Sequence, residues 1–232
     1  MLEVAGLTGG YGSAQILNGV DLTVRERDIL VLLGRNGVGK TTLMRALIGL
    51  VAPTSGKVEL NGQNIRGFRP NRIARAGIGY APQGRGIFPK LTVRENLLVG
   101  TRSRRSGDSD IPKEIFGYFP ILKERLSQLG GTLSGGQQQM LAIARALCGE
   151  PSILLLDEPS EGIQPSIVQQ FSEVIRNIVG RSGISVLLVE QNLDLGLGVA
   201  TRCAIMEKGR IVREGHPDEF RDEEVLRSYL AI

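Results

Sequence analysis

Residues Gly34-Arg35-Asn36-Gly37-Val38-Gly39-Lys40-Thr41 spell G-x-x-x-x-G-K-[ST], directly after the apolar run Ile29 to Leu33 and directly before a helix-period segment, Thr41 to Leu50. A strand that passes through a glycine turn into a helix belongs in a parallel α/β layer, with the turn at the carboxyl edge of the sheet. The glycines let backbone N–H groups turn inward on phosphate oxygens, and the helix N-terminus adds its positive end. Lys40 reaches the β- and γ-phosphates as a point charge, while the Thr41 hydroxyl suits Mg²⁺. With Thr42 alongside, the run from Gly34 forms an expected ATP cradle. At residue frequencies of roughly 6–12% for the fixed positions, a bare match arises about once per hundred chains of this length. The strand and helix around it make coincidence rarer still.

The rest of the chain agrees with that layer. At 232 residues it fits one hydrophobic core with an insertion, and 41% apolar with 22% charged residues excludes wholesale disorder. Ser152 to Leu156 and Ile184 to Val189 read as further buried strands, separated by a helix whose Ile167, Phe171, Val174, Ile175 and Ile178 recur at helical spacing. The first 28 residues alternate in short segments with glycine turns, as an antiparallel flank would. Phe88 to Cys148 carries helical patterns, broken by the polar stretch Thr101 to Pro112, which reads as a surface loop. No apolar run approaches the roughly 20 residues that span a bilayer, and no signal segment is visible, so a cytoplasmic location is expected. Cys148, Cys203 and His216 are too few and scattered for a zinc site, so any metal is held by oxygen. A net charge of +4 is too mild to imply nucleic-acid binding.

Two more clusters carry chemistry. Asp157-Glu158 follows four apolar residues, which puts two carboxylates at a buried strand's carboxyl end. Asp157 suits the Mg²⁺ shell and Glu158 suits a general base for an attacking water. Leu133-Ser134-Gly135-Gly136-Gln137 opens a segment with Met140, Ile143, Ala144 and Leu147 on one helical face. Ser134 would cap that helix, whose bare backbone donors make a second anion site. One chain cannot easily fold both sites onto one nucleotide.

The LSGGQ run resembles the signature of ABC-type ATPases, and the resemblance extends over nearly the whole chain. It implies an α/β fold: a phosphate-loop, RecA-like core (1–87 and 149–232), an N-terminal antiparallel β flank, and an inserted helical subdomain (88–148). It implies that Ser134, Gly135, Gly136 and Gln137 cap the γ-phosphate of ATP held by an opposite subunit. Tyr11, in GGYG, looks like the aromatic residue that stacks on adenine, and Gln83, in YAPQGRGIFP, like the glutamine that touches Mg²⁺ and water. Two positions depart from the general family pattern: Gln164 stands where an Asp is common, and Gln191, in LLVEQN, replaces a switch histidine. Gln191 is accordingly expected to position the γ-phosphate's surroundings without titrating. These departures, with GRNGVGKTT, PQGRGIFPKLTVRENL and EPSEGIQPS, look like ATPase subunits of branched-chain amino acid importers, most of all the urea-uptake branch.

That resemblance implies an ATPase using ATP and Mg²⁺, peripheral on the cytoplasmic membrane face. Its expected partners are membrane permease subunits, a second ATPase subunit (itself or a paralogue) and, indirectly, a solute-binding protein. The rival is a soluble ABC-type ATPase of the iron–sulfur assembly kind. Gly86-Ile87-Phe88-Pro89 with Leu91 forms an apolar patch fit to receive a permease helix, against the plainer reading of Phe88 as core. Arg102, Arg104 and Arg105 could meet lipid headgroups or the permease, although a solvated loop is the simpler explanation.

Overall fold

A strand buried along its whole length needs both faces of its sheet covered, and in the computed structural model every residue of β3 (Ile29–Leu33) is buried. The described residues are 1–104 and 106–222, without the side chains of 165–167. Alternation within the strand splits the core in two. Val31 and Leu33 join one cluster, with Leu154, Leu156, Val186 and Leu188, while Leu30 and Leu32 join the other, with Leu155, Leu187 and Val189.

The central sheet runs in the order β10 (Arg210–Gly215), β9 (Arg202–Glu207), β3, β8 (Ser185–Val189), β7 (Ile153–Asp157), β6 (Ile78–Ala81). All neighbours are parallel except β10 on β9. α1 (Lys40–Leu47) packs Leu43, Met44 and Leu47 into the second cluster. The same cluster takes a four-stranded antiparallel sheet ordered β2 (Ala14–Val24), β1 (Leu2–Tyr11), β4 (Pro53–Leu60), β5 (Gln63–Asn64), with the short α2 (Pro70–Ala76) beside it. The first cluster lies under α7 (Pro165–Ser182), α8 (Leu193–Val199) and the inserted helices α3 (Val93–Thr101), α4 (Lys113–Tyr118), α5 (Pro120–Glu124) and α6 (Gly135–Leu147). This is the expected α/β arrangement with its antiparallel flank and helical insertion.

The helix after the glycine loop closes at Leu47, three residues before Leu50. Gly49 takes φ +76°, and a Cβ there would stand 2.5 Å from the Phe68 carbonyl oxygen, so the chain turns where only glycine fits. Buried Asn96 knits the segment that enters the insertion. Its Nδ2 donates to the carbonyls of Phe88 and Thr92 at 3.0 Å each, and its Oδ1 accepts from the Phe88 N–H at 2.9 Å. In the arginine cluster, the Arg104 side chain is only 6% exposed and paired with Glu150 and Asp108, so it braces the loop to the turn after α6. Arg105 lies outside the described residues, as does the side chain of Ile167.

Candidate functional site

Parity along β7 places the first carboxylate. Leu154 and Leu156 face the α7 side and Ile153 and Leu155 the α1 side, so Asp157, next in the alternation, falls on the α1 face at the carboxyl end. There its Oδ1 lies 3.4 Å from Thr41 Oγ1, and its Oδ2 accepts from the Tyr80 hydroxyl at 3.2 Å. Burial pushes the Asp157 carboxyl above its ordinary value, opposed by the Tyr80 hydrogen bond. The same burial, with Asp157 beside it, pushes the Tyr80 phenol well up.

The loop from Gly34 wraps the helix start. Gly34 takes φ +149° because β9 passes close by: a Cβ would sit 2.5 Å from the Met206 carbonyl oxygen. Lys40 is buried, and its Nζ donates to the carbonyls of Gly34 (2.6 Å) and Arg35 (2.9 Å). Desolvation lowers its pKa, while the carboxylates of Glu158, Asp157 and Glu190 oppose that shift. A buried ammonium held by loop carbonyls at a cleft edge suits the binding of an anion.

A cleft of about 650 Å³ opens above this loop, and it gathers Tyr11, Asn36, Gly37, Gly39, Lys40, Thr41, Thr42, Gln83, Glu158 and Gln191. Gly34, Arg35 and Val38 do not line it. The first two lend their carbonyls to Lys40, and Val38 packs toward the core. Tyr11 is 45% exposed at the rim, so it is no core tyrosine, and its hydroxyl accepts from Arg45 at 3.2 Å.

Glu158 occupies the centre. Its φ of 48° is left-handed, an uncommon state for a side chain with a Cβ, and its N–H is held by the Val189 carbonyl at 2.8 Å. Gln83 Nε2 donates to one carboxylate oxygen at 3.0 Å and Gln191 Nε2 to the other at 2.7 Å. Gln191 does not cap the next helix. That role falls to Asn192, whose Oδ1 accepts from the Leu195 N–H.

Ser134 stands at the N-terminus of α6 in a capping box with Gln137, as its spacing suggested. Ser134, Gly135, Gly136 and Gln137 are absent from the cleft lining, so the signature turn and the phosphate loop are separate places on one chain. Among the described residues no three His, Cys, Asp or Glu side chains form a metal site. Thr41 and Asp157 nonetheless fit Mg²⁺: a hydroxyl and a carboxylate, both hard oxygens, stand side by side at a strand end and a helix start.

Sequence reasoning missed Tyr80, Arg45, Ser160 and Glu190 around this cleft. Tyr80 follows only from the β6–β7 register. Glu190 carried a usable signal, since it too is an acid ending a buried apolar strand.

Comparison with known proteins agrees with the geometry. The model of a family described as "ABC transporter" matches residues 17–161. The high-affinity branched-chain amino acid transport ATP-binding protein BraG of Pseudomonas aeruginosa is 42% identical over 91% of both chains. The lipopolysaccharide export system ATP-binding protein LptB of Haemophilus influenzae is 36% identical over 99% of this chain and 97% of its own. Among solved structures, the ADP conformation of an ATP-binding cassette of an ABC transporter superimposes with a TM-score of 0.84 at 26% identity, covering 100% of this chain and 99% of that one.

Proposed function

This chain belongs to the ABC transporter family, and from that premise we propose that it is the ATP-hydrolysing subunit of a membrane importer for branched-chain amino acids, urea or similar short amides. The observation that carries the catalytic part is Glu158, gripped between two amide donors at the mouth of the phosphate loop.

In this reading the backbone of the loop from Gly34 and the Lys40 ammonium hold the β- and γ-phosphates, and Tyr11 at the rim takes the adenine. Thr41, Asp157 and Gln83 would hold Mg²⁺, which would supply charge neutralisation on phosphate oxygens. The Glu158 carboxylate accepts the proton of the attacking water as the water oxygen bonds to the γ-phosphorus and the bond to the bridging oxygen breaks. Gln191 and Gln83 keep that carboxylate aimed, and being amides they neither gain nor lose the proton. The signature at Ser134–Gln137, which does not line its own cleft, closes the site of a second subunit in a head-to-tail dimer.

Coupling to a permease is supported by the patch after Gln83. Phe88 is 45% exposed, with the Arg145 guanidinium 5.1 Å over its ring, so it is not core. No helix among the described residues is long and apolar enough to cross a membrane; in this reading the subunit is attached peripherally, on the cytoplasmic face, through its permease. The relatives above are named for transport, which favours this reading over a soluble iron–sulfur assembly ATPase. The solute class rests on BraG, because nothing in the cleft contacts a solute. The test is affinity capture from detergent-solubilised membranes of the source cell, followed by uptake of labelled leucine and urea after gene deletion. Recovery with a permease and loss of one uptake is expected. A chain that is never retained with a permease, and whose loss changes no uptake, overturns the transport assignment.

A further inference from the structure

The loops after β7 and β8 are joined by one side chain that the chemistry above does not use. Glu190 is 2% exposed. One carboxylate oxygen accepts from the Ser160 N–H at 2.9 Å. The other accepts from the N–H groups of Gln191 at 2.8 Å and Asn192 at 3.0 Å. Ser160 lies two residues beyond Glu158, and Gln191 immediately follows Glu190. A single buried carboxylate therefore grips the backbone on both sides of the Gln191–Glu158 contact.

We propose that Glu190 is a positioning residue for ATP hydrolysis: it clasps the loop bearing Glu158 to the loop bearing Gln191 and thereby fixes the Gln191 amide against the Glu158 carboxylate. The inference rests on the hydrolytic reading given above. Three N–H donors converging on one carboxylate form a site that an amide cannot fill, because an amide has one acceptor oxygen and would turn its NH₂ on an N–H donor. Loss of the clasp frees one loop to shift, and a displacement of about 1 Å near the reacting atoms costs as much as 10²-fold in rate.

The test compares steady-state ATPase kinetics of wild type, Glu190→Gln, Gln191→Ala and the double variant, alongside amide hydrogen exchange of the folded protein. For Glu190→Gln the expectation is a kcat lower by roughly tenfold or more, with KM for ATP within about twofold. In the Gln191→Ala background the same substitution should cost almost nothing further, since the beneficiary is gone. Glu190→Asp, which keeps the charge but is one methylene short, should show the same non-additive loss and serves if the glutamine variant fails to fold. The Ser160, Gln191 and Asn192 amides should be protected as a set in wild type. Wild-type kcat in Glu190→Gln, losses that multiply in the double variant, or unprotected amides in wild type would each overturn the clasp. Protected amides in a chain that does not hydrolyse ATP would instead refute the hydrolytic reading.

Discussion

Glu158 accepts from two glutamines at once, Gln83 and Gln191, so its carboxylate is oriented before any nucleotide arrives. Glu158→Gln keeps the shape but cannot take a proton, and we expect kcat to fall by roughly 10²–10⁴-fold with ATP affinity nearly unchanged. Calorimetry beside single-turnover hydrolysis checks this, and wild-type turnover would remove Glu158 from its role. Gln191→Ala should cost about 10²-fold in kcat with little effect on ATP binding, the scale of one lost preorganised donor. Gln191→His should keep activity and add an ionisation between pH 5 and 8. The kcat profiles from pH 5.5 to 8.5 separate the two, and an alanine variant within about twofold of wild type would make Gln191 structural. Asp157 supplies a stability prediction of definite sign. Burial raises its carboxyl above the ordinary 3.8, so the folded state holds the proton more tightly than the unfolded one. The penalty is absent well below pH 3.8, where both states are protonated, grows as pH rises, and is complete above the raised folded value. Asp157→Asn should therefore raise the Tm of the nucleotide-free protein at pH 7, with the gain shrinking as pH is lowered toward 4, while ATP hydrolysis falls. Equal melting temperatures at neutral pH would contradict it.

Among the elements, α6 has two duties that one substitution can confuse. Ser134 caps it by accepting from the Gln137 N–H at 3.4 Å, and under the proposed function the same turn would be the surface offered to a second subunit. Arg85 steadies that turn: its Nη1 donates to Gln138 at 3.1 Å, and its guanidinium lies so close that a Cβ on Gly135 would stand 2.7 Å from Nη2. Ser134→Arg should leave ATP binding intact and abolish hydrolysis by obstructing closure. Ser134→Ala is the control, losing about 1 kcal/mol of cap energy with hydrolysis largely retained. Equal activity of the arginine variant and wild type would show that the turn does not act on a nucleotide. Element boundaries were legible where a local signal existed. Thr92-Val93-Arg94-Glu95 is a capping box that opens α3 and could have been read from its spacing. The early end of α1 was not legible, because the Phe68 carbonyl that demands Gly49 comes from a distant loop.

At the scale of the whole molecule, the cleft and the signature turn lie on separate loops of one chain, and under the proposed head-to-tail arrangement a complete site would need two copies or a paralogue. ATPase rate per subunit should therefore rise with protein concentration through the range where dimers form, and plateau above it. A rate per subunit independent of concentration, with the protein monomeric by light scattering, would refute cross-subunit catalysis. The chain order of Lys40, Thr41, Asp157 and Glu158 could be read directly, because each sits where an apolar strand ends or a helix begins, and strand ends are local. The α/β layering was legible for the same reason, since unbroken apolar runs such as Ile29–Leu33 and Val186–Val189 can only be covered on both faces. What the tertiary structure alone decided is which loops meet. Glu190 reaches Ser160 across 30 positions, Tyr80 reaches Asp157 across 77 and Tyr11 meets Arg45 across 34. The first two contacts depend on strand order and register, β8 beside β7 beside β6, and the third on how the antiparallel sheet packs against α1; hydrophobic periodicity encodes neither, since each strand would be equally buried in any order.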